Sequence, residues 1–294
     1  MSAGSTATRW ATSRSPWASC SCSSRWRRLR GCSPTTDPPR GGGRFALTRP
    51  QGSPHLVLKQ GDPAALRREA AGARRAGPPL APRVLASRPG ALTSEWIPGR
   101  PRRLDRLDPP RAVALGRVLA AVHARRATAS GGLPGWRTRA TGLPGYARGR
   151  GRDAAARAGT AAERDLVARA TGRALAAAQQ ASREARPFAL LHGDLVGSNV
   201  VWPAGGGEPV LVDWEFWRMG DRAEDLAYLV ALNHLPARVA DGVYRGYGAD
   251  GPLRARARMW MPLVLADAGL WLRAHGDPGG GDALLDRARD TLVG

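Results

Sequence analysis

The chain has 294 residues, of which 43% are hydrophobic, so it is long enough for two lobes around a sizeable core, and its composition argues against global disorder. No apolar run approaches the ~20 residues of a membrane-spanning helix, so we expect a cytoplasmic protein with no membrane partner. The net charge of +21 comes from 45 basic residues against 24 acidic ones, and every basic residue except Lys59 is an arginine.

This arginine excess accompanies many Ala, Gly and Pro residues, a bias typical of a GC-rich coding sequence. A bias of composition weakens the usual inference from high positive charge to nucleic acid. We therefore expect no nucleic-acid partner and keep a basic nucleic-acid-binding protein as a rival hypothesis. Such a protein would show binding that falls steeply with salt.

Residues 1–40 do not have the pattern of a folded element. They contain seven arginines and one acidic residue, Asp37, and their apolar residues follow neither a helical nor a strand period. We predict that this segment is disordered or precedes the true start of translation. All three cysteines of the chain lie within it, so no disulfide framework holds the main fold.

Residues 41–100 predict a small lobe of strands with one helix. Strand patterns lie at residues 44–48, 55–59, 83–86 and 91–96. Between the second and third of these, Asp62 and Pro63 are typical of a helix start, and the helix is expected to run to about Ala76.

Residues 101–294 predict a larger and mainly helical lobe. Helices are expected over residues 108–126, 153–184, 221–233, 252–275 and 281–292, whereas the Gly-, Pro- and Arg-rich stretch 131–151 predicts a loop.

A compact segment between these helices carries polar residues that are suited to chemistry. An apolar strand at residues 188–191 leads into His192, Gly193 and Asp194, and Asn199 follows five residues after Asp194. Two short strands, 200–202 and 210–212, are separated by the glycine turn 205–207, and Asp213 follows the second strand. An antiparallel hairpin returns its far end beside its entry, so Asp194, Asn199 and Asp213 are expected to converge.

Their chemistry points to phosphoryl transfer. A carboxylate together with an amide oxygen suits Mg²⁺, and a second carboxylate in the loop can accept a proton from a hydroxyl group. The alternative interpretation is that these residues serve only as turn residues at strand ends. This alternative is adequate for any one of the three residues taken alone, but the occurrence of all three in this order favours a functional site.

The segment resembles the aminoglycoside phosphotransferase and choline kinase family. The resemblance is carried by the residues from His192 to Asn199, by Val212–Glu215, and by Gly220–Ala227. It implies an α+β, bilobal, protein-kinase-like fold with a small β-rich N-terminal lobe and a larger helical C-terminal lobe.

The resemblance also implies a role for each residue of the segment. Asp194 would be the catalytic aspartate, and Asn199 and Asp213 would hold the Mg²⁺ ions that bridge the phosphates of ATP. His192 would support the loop rather than transfer protons. Asp225 would fix the loop by hydrogen bonds.

In the small lobe, the resemblance implies that Lys59, at the end of a strand, contacts the α- and β-phosphates of ATP. Glu69 on the following helix would be the ion-pair partner of Lys59. The alternatives are chance placement of the lysine and a solvated acid on a helix face.

The resemblance gives less support to the remaining nucleotide contacts. The hinge between the lobes would lie at Glu95–Ile97, where backbone groups would bind adenine, so we assign Glu95 and Ile97 to the nucleotide site. Gly42 and Gly43 are weak candidates for the phosphate-covering loop. The chain departs from the family here, because the uninterpretable segment 1–40 stands where a clear first strand is expected.

A local charge pattern gives a first indication of the acceptor. Residues 205–250 contain eight acidic residues against four arginines, which would attract a cationic acceptor such as an aminoglycoside or an amino alcohol. The alternative is that metal ligands and a helix N-terminus already use most of these acids.

The sequence therefore predicts an ATP-dependent phosphotransferase that acts on a hydroxyl of a small molecule. A protein kinase is a weaker hypothesis, because His-Gly-Asp replaces His-Arg-Asp and no Asp-Phe-Gly triplet is present. A nucleotide-binding protein that has lost turnover through a damaged small lobe is a further alternative.

Overall fold

A computed structural model of the protein describes residues 45–48, 55–125 and 136–293. The predicted segment 1–40 and the loop candidates Gly42 and Gly43 lie outside the described residues, and the predictions on them stay predictions.

The first part of the described chain is an antiparallel sheet with one helix. The strands are β1 (Phe45–Thr48), β2 (Leu56–Gly61), β3 (Val84–Arg88) and β4 (Ala91–Glu95), and their order in the sheet is β1-β2-β4-β3. Helix α1 (Pro63–Ala76) lies between β2 and β3 in the chain, and the Asp62 carboxylate caps it by accepting a hydrogen bond from Ala65 N. Leu66 and Ala70 of α1 pack against Leu92 of β4, which confirms the predicted elements of this part.

Five short strands follow in two further sheets. They are β5 (Gly99–Pro101), β6 (Ala189–Leu191), β7 (Val200–Pro203), β8 (Val210–Leu211) and β9 (Arg218–Gly220). One sheet has the order β5-β7-β8, and β6 pairs with β9 in the other. Because β5 crosses the predicted boundary at residue 100 and pairs with β7, the first and second parts of the chain are joined by backbone hydrogen bonds.

Helices make up most of the second part. They are α2 (Pro109–His123), α3 (Trp136–Ala155), α4 (Ala161–Ala181), α5 (Arg222–Leu232), α6 (Ala237–Tyr247), α7 (Gly251–Ala274) and α8 (Pro278–Val293). The family-level expectation of an α+β fold with a mainly helical second lobe is confirmed. The exact division into residues 41–100 and 101–294 stays a prediction.

The prediction of a loop at residues 131–151 is wrong from residue 136 onward, because residues 136–151 belong to α3. Gly142, with φ of +66°, breaks the regular helix, and Pro144 lies directly after this break, where a missing N–H costs no helical hydrogen bond. Leu143, Ala147 and Ala154 are buried in the core, and this packing overrides the weak helix propensity of the glycines and the proline.

The predicted helix at 153–184 begins too early, and α6 was not predicted. Helix α4 starts at Ala161 because the Thr160 hydroxyl accepts from Glu163 N while the Glu163 carboxylate accepts from Thr160 N. Gly242 and Gly246 lower the helix propensity of α6, and no side chain caps its start, while the same two glycines let it pack closely on α2.

One hydrophobic cluster extends from α1 to α8, with Trp214, Trp217 and Trp260 as its largest fully buried side chains. Trp214 and Trp217 are therefore core residues. Among the described residues, no helix combines the length and the apolar character needed to cross a bilayer.

Candidate active site

The hairpin β7–β8 brings the predicted residues together. Val200 pairs with Leu211 and Val201 pairs with Val210, and a hydrogen bond from Val212 N to Asn199 O (2.9 Å) continues the ladder. Asn199 and Asp213 therefore lie beside each other at the open end of the hairpin. Asp213 has a φ of 67°, a left-handed conformation that is uncommon for residues other than glycine and occurs often at functional sites.

Asp194 is held by two neighbours. Asn199 Nδ2 donates to Asp194 Oδ2 (2.8 Å) and to its backbone oxygen (2.9 Å), and the Tyr228 hydroxyl donates to Asp194 Oδ1 (3.3 Å). Burial, together with the negative charge of Asp213, raises the pKa of Asp194 to about 7. A carboxylate with a raised pKa is a stronger base, as proton acceptance from a hydroxyl requires.

Lys59 lies between two carboxylates. Its Nζ donates to Glu69 Oε2 (2.6 Å) and to Asp213 Oδ1 (2.8 Å), and its side chain is only 7% exposed. The prediction that Glu69 pairs with Lys59 is confirmed, while the contact with Asp213 was not predicted. Burial acts to lower the pKa of Lys59, but the two carboxylates outweigh it and hold the pKa above its ordinary value.

Two carboxylates thus share one ammonium group. Burial raises the pKa of Glu69 to about 7, and the charge of Asp213 adds to the effect. The side chains of Glu69, Lys59 and Asp213 form a chain of charges from α1 through the first sheet to the hairpin, with a single positive point charge at its centre.

The donor set suits Mg²⁺ coordinated together with phosphates. No group of three or more His, Cys, Asp or Glu side chains in the described ranges could hold a metal ion by itself. Mg²⁺ commonly takes only one or two protein carboxylates and completes its shell with substrate phosphates and water. Because Asn199 Nδ2 donates to Asp194, the amide oxygen of Asn199, which accepts one hydrogen bond from the Ser198 hydroxyl (3.4 Å), keeps a lone pair for a cation, and together with the Asp213 carboxylate these residues fit the ion.

A cleft lies between the first sheet and the hairpin, and it contains Lys59, Glu69, Asn199 and Asp213. Its walls are apolar residues from both sides, among which are Val57, Val84, Leu92, Val201 and Val212. A cleft with apolar walls and charges at one end matches a flat aromatic base that carries a charged chain.

Glu95 and Ile97 lie on the rim of this cleft, where the chain passes from β4 to β5. Trp96 N donates to His55 O (2.7 Å) and Glu95 N donates to Arg83 O (2.9 Å), so both amides are used within the protein. The amide of Ile97 has no backbone acceptor among the described residues, and the nucleotide contacts expected of Glu95 and Ile97 stay predictions.

Asp225 fixes the loop that carries Asp194. Its carboxylate accepts from His192 N (2.7 Å) and Gly193 N (3.0 Å) and contacts His123 Nε2 (3.2 Å), which confirms the hydrogen bonds expected for it. His192 Nε2 lies 3.0 Å from Val212 O, so the imidazole joins the loop to the strand before Asp213. Burial lowers the pKa of His192, and a neutral imidazole agrees with a supporting role.

Sequence reasoning missed Tyr228 and a buried ionic network below the loop. Arg218 Nη1 lies near the Gly193 carbonyl (3.4 Å), and its Nη2 donates to Glu224 Oε1 (2.6 Å), which also binds Arg150. A signal for Tyr228 was present, because it lies three residues after Asp225 on a predicted helix and therefore on the same face.

The acidic residues of segment 205–250 do not form one exposed surface. This agrees with the alternative interpretation, in which most of them are already used within the protein. Asp221 is buried against Arg256 and Trp260, and Glu224 and Asp225 are buried in the contacts described above. Glu208 pairs with Arg117 at the surface. Asp213 and Glu215 are the two acids of this segment that act electrostatically on Asp194.

Comparisons with known proteins agree with this geometry. The model of the family described as "Phosphotransferase enzyme family" matches residues 38–260. A comparison with curated proteins gave no match.

Solved structures share the fold over most of the chain. A choline/ethanolamine kinase family protein from Mesorhizobium loti is 20% identical, with a TM-score of 0.63 and coverage of 92% of this chain and 94% of that one. Choline kinase LicA from Streptococcus pneumoniae is 14% identical, with a TM-score of 0.63 and coverage of 86% and 91%. An aminoglycoside phosphotransferase from Alicyclobacillus acidocaldarius is 18% identical, with a TM-score of 0.53 and coverage of 90% and 96%. LicA has also been solved in complex with AMP.

Proposed function

The chain belongs to the phosphotransferase enzyme family and is a small-molecule kinase, and from this premise we propose that it moves the γ-phosphate of ATP to a hydroxyl group of a cationic acceptor. The observation that carries the proposal is the convergence of Asp194, Asn199 and Asp213 at the end of one hairpin, with Lys59 bound to Asp213.

Asp194 is the proposed proton acceptor. The acceptor hydroxyl donates to its carboxylate, the hydroxyl oxygen forms a bond to the γ-phosphorus, and the bond between that phosphorus and the leaving oxygen of ADP breaks. The hydroxyl proton goes to Asp194, whose raised pKa supports this role. Asn199 and Tyr228 hold the carboxylate in place during this step.

Lys59 is the proposed phosphate-binding cation. Lysine presents a compact charge, and in the cleft it is already oriented by Glu69 and Asp213. Asn199 and Asp213 would hold Mg²⁺, which when bound neutralises charge on the phosphates. The apolar walls of the cleft and the amide of Ile97 are the proposed site of the adenine ring.

The cationic nature of the acceptor is supported by charge around the proton acceptor. Asp213 and Glu215 both act on Asp194, so three carboxylates surround the place where the hydroxyl must lie. An ammonium group on the acceptor would be attracted there. Two of the structures that share the fold are named as kinases of choline or ethanolamine, and one as an aminoglycoside phosphotransferase.

The direct test is turnover of Mg-ATP with a panel of acceptors, namely choline, ethanolamine, several aminoglycosides and neutral sugars. Mass spectrometry of the acceptor would detect the added phosphate. We expect a cationic acceptor to be phosphorylated, and Asp194→Asn to reduce the rate by about 10² or more. The control is Asp286→Asn, which makes the same chemical change at an exposed side chain of α8, away from the cleft. This variant should leave the rate unchanged.

The outcomes separate the alternatives. Phosphorylation of neutral sugars alone would refute the cationic acceptor but not the phosphotransferase. ATP binding without any phosphorylated product would favour the nucleotide-binding protein that has lost turnover. An unchanged rate in Asp194→Asn would refute the assignment of the proton acceptor.

A further inference from the structure

A second cavity lies where the chain leaves the hinge and enters α2. Its volume is about 250 Å³, near the lower end of ligand sites, and it shares no lining residue with the cleft. We call it the arginine cavity; its lining consists of Arg100, Pro101, Arg102, Arg103, Arg106, Leu107, Asp108 and Arg111.

Positive charge in this cavity exceeds the negative charge around it. Arg103 pairs with Asp105 (2.7 Å), and Arg111 pairs with Asp108, which also caps α2. The other three arginines, Arg100, Arg102 and Arg106, form no direct ion pair in the described part of the chain, although Arg106 lies near enough to Asp105 to help lower the pKa of that carboxyl. Five exposed guanidinium groups and one carboxylate, that of Asp108, therefore line one small space that opens to solvent.

Like charges that line one space repel one another, and an anion bound between them would reduce that repulsion. Guanidinium groups that approach from several directions suit phosphate, which offers oxygen atoms in several directions, better than a carboxylate, whose two oxygens match a single guanidinium fork. We propose that the arginine cavity is a binding site for a small phosphate-bearing anion, separate from the site of ATP.

The cavity lies next to the loop of the proton acceptor. A Cβ added at Gly197 would lie 3.0 Å from the Arg102 carbonyl oxygen and 3.6 Å from the Leu104 side chain. Residues 100–111, which we call the arginine segment, therefore pack directly on the loop between Asp194 and Asn199. Arg100 also pairs with Trp202 on β7, the strand that begins after Asn199. An anion bound here would be separated from the Asp194 loop only by the arginine segment.

The probe is inorganic pyrophosphate, titrated by calorimetry into the whole protein at low salt without Mg²⁺ or nucleotide. We expect Arg102→Ser/Arg106→Ser to weaken binding by about tenfold or more, because each lost contact is a charge-assisted hydrogen bond. The matched control is Arg183→Ser/Arg186→Ser, which removes two exposed arginines outside the cavity and should bind as the unaltered protein does. Arg106→Gln alone provides a milder variant with a smaller loss, and circular dichroism confirms that each variant is folded.

Lys59→Met distinguishes the two phosphate sites, because it alters the cleft but not the arginine cavity. Pyrophosphate affinity that is retained in Lys59→Met and lost in Arg102→Ser/Arg106→Ser supports the proposal. An equal loss of pyrophosphate affinity in Arg102→Ser/Arg106→Ser and in Arg183→Ser/Arg186→Ser would show only general charge attraction and would overturn the proposal. A loss of affinity confined to Lys59→Met would also overturn it. Citrate that binds as tightly as pyrophosphate would refute the preference for phosphate, and a DNA duplex that binds far more tightly and with a steep salt dependence would indicate nucleic acid instead.

Discussion

At the scale of single residues, Asp225 shows how one buried side chain sets the geometry of the site. Gly193 has a φ of +80°, which glycine adopts without strain, so the backbone turns and both amides of His192 and Gly193 point to the Asp225 carboxylate. The carboxylate has no exposed surface, and Asp194 is the next residue along the chain. The position of the proton acceptor therefore depends on a residue that touches no substrate.

Replacement of this carboxylate should destabilise the fold. Asp225→Asn leaves one buried backbone amide facing another donor, and we expect the free energy of unfolding to fall by about 3 kcal/mol. Chemical denaturation at neutral pH measures this change. Asp286→Asn on the surface should change it by less than about 0.5 kcal/mol, and equal stability of both variants would contradict the argument.

The pH of that measurement matters. Burial opposes the charge of Asp225, but the hydrogen bond with His123 and the electrostatic attraction of the neighbouring basic groups outweigh burial and hold its pKa below the ordinary value of an aspartate. A carboxylate with a lowered pKa contributes its full stabilisation above the unfolded value and loses it as the pH falls through the folded value. At neutral pH the whole contribution of Asp225 is present.

The sequence predicted these residues because their spacing reflects chain geometry. Asp194, Asn199 and Asp213 lie at the ends of short apolar strands, and an antiparallel hairpin returns its far end beside its entry. The bond between Lys59 and Asp213 joins residues 154 positions apart, and no local pattern encodes that contact. Tyr228 is an intermediate case. Helical spacing predicts that it lies on the same face as Asp225, but it does not predict the hydrogen bond of its hydroxyl to Asp194.

At the scale of elements, the contact between α2 and α6 depends on glycines. A Cβ at Gly116 would overlap the Val243 carbonyl oxygen, and one at Gly246 would overlap the Val113 carbonyl oxygen. The two helices therefore touch backbone to backbone. Gly242 and Gly246 lower the helix propensity of residues 237–247, and no side chain caps the start of α6, so α6 was missed while α1 and α2, with their Asp-Pro starts, were found.

Two alanine substitutions should have opposite effects. Gly116→Ala inserts a methyl group against backbone atoms that cannot move aside cheaply, so we expect a loss of about 1–3 kcal/mol. Gly172→Ala lies within α4 with no atom within 4 Å of the added Cβ, and we expect a gain of about 0.5–1 kcal/mol from helix propensity. Thermal or urea unfolding would check both, and a gain in Gly116→Ala would refute close backbone packing.

At the scale of the whole molecule, several contacts besides the β5–β7 pairing join the first sheet and its helix to the rest of the chain, and two of them involve the segment after the hairpin. Lys59 of β2 binds Asp213 after the hairpin, and Trp217 packs beside Gly72 of α1 with its indole N–H donating to Arg68 O (2.7 Å). The first contact crosses the cleft at the place where the phosphates of ATP are proposed to lie. Binding of the nucleotide should therefore be linked to the stability of the whole chain.

Mg-ATP should raise the melting temperature through this linkage. A ligand at about 100 times its Kd stabilises the folded state by about 2.7 kcal/mol, which corresponds to a rise of roughly 5 °C or more for a chain of this size. Lys59→Met removes the phosphate-binding charge, and we expect it to reduce the ligand-induced rise by at least half, whatever its own melting temperature is. Arg67→Met removes one exposed positive charge from α1, outside the cleft, and should keep the full rise. An equal rise in all three proteins would show that ATP binds without Lys59, and the charged chain from Glu69 to Asp213 would then have only a structural role.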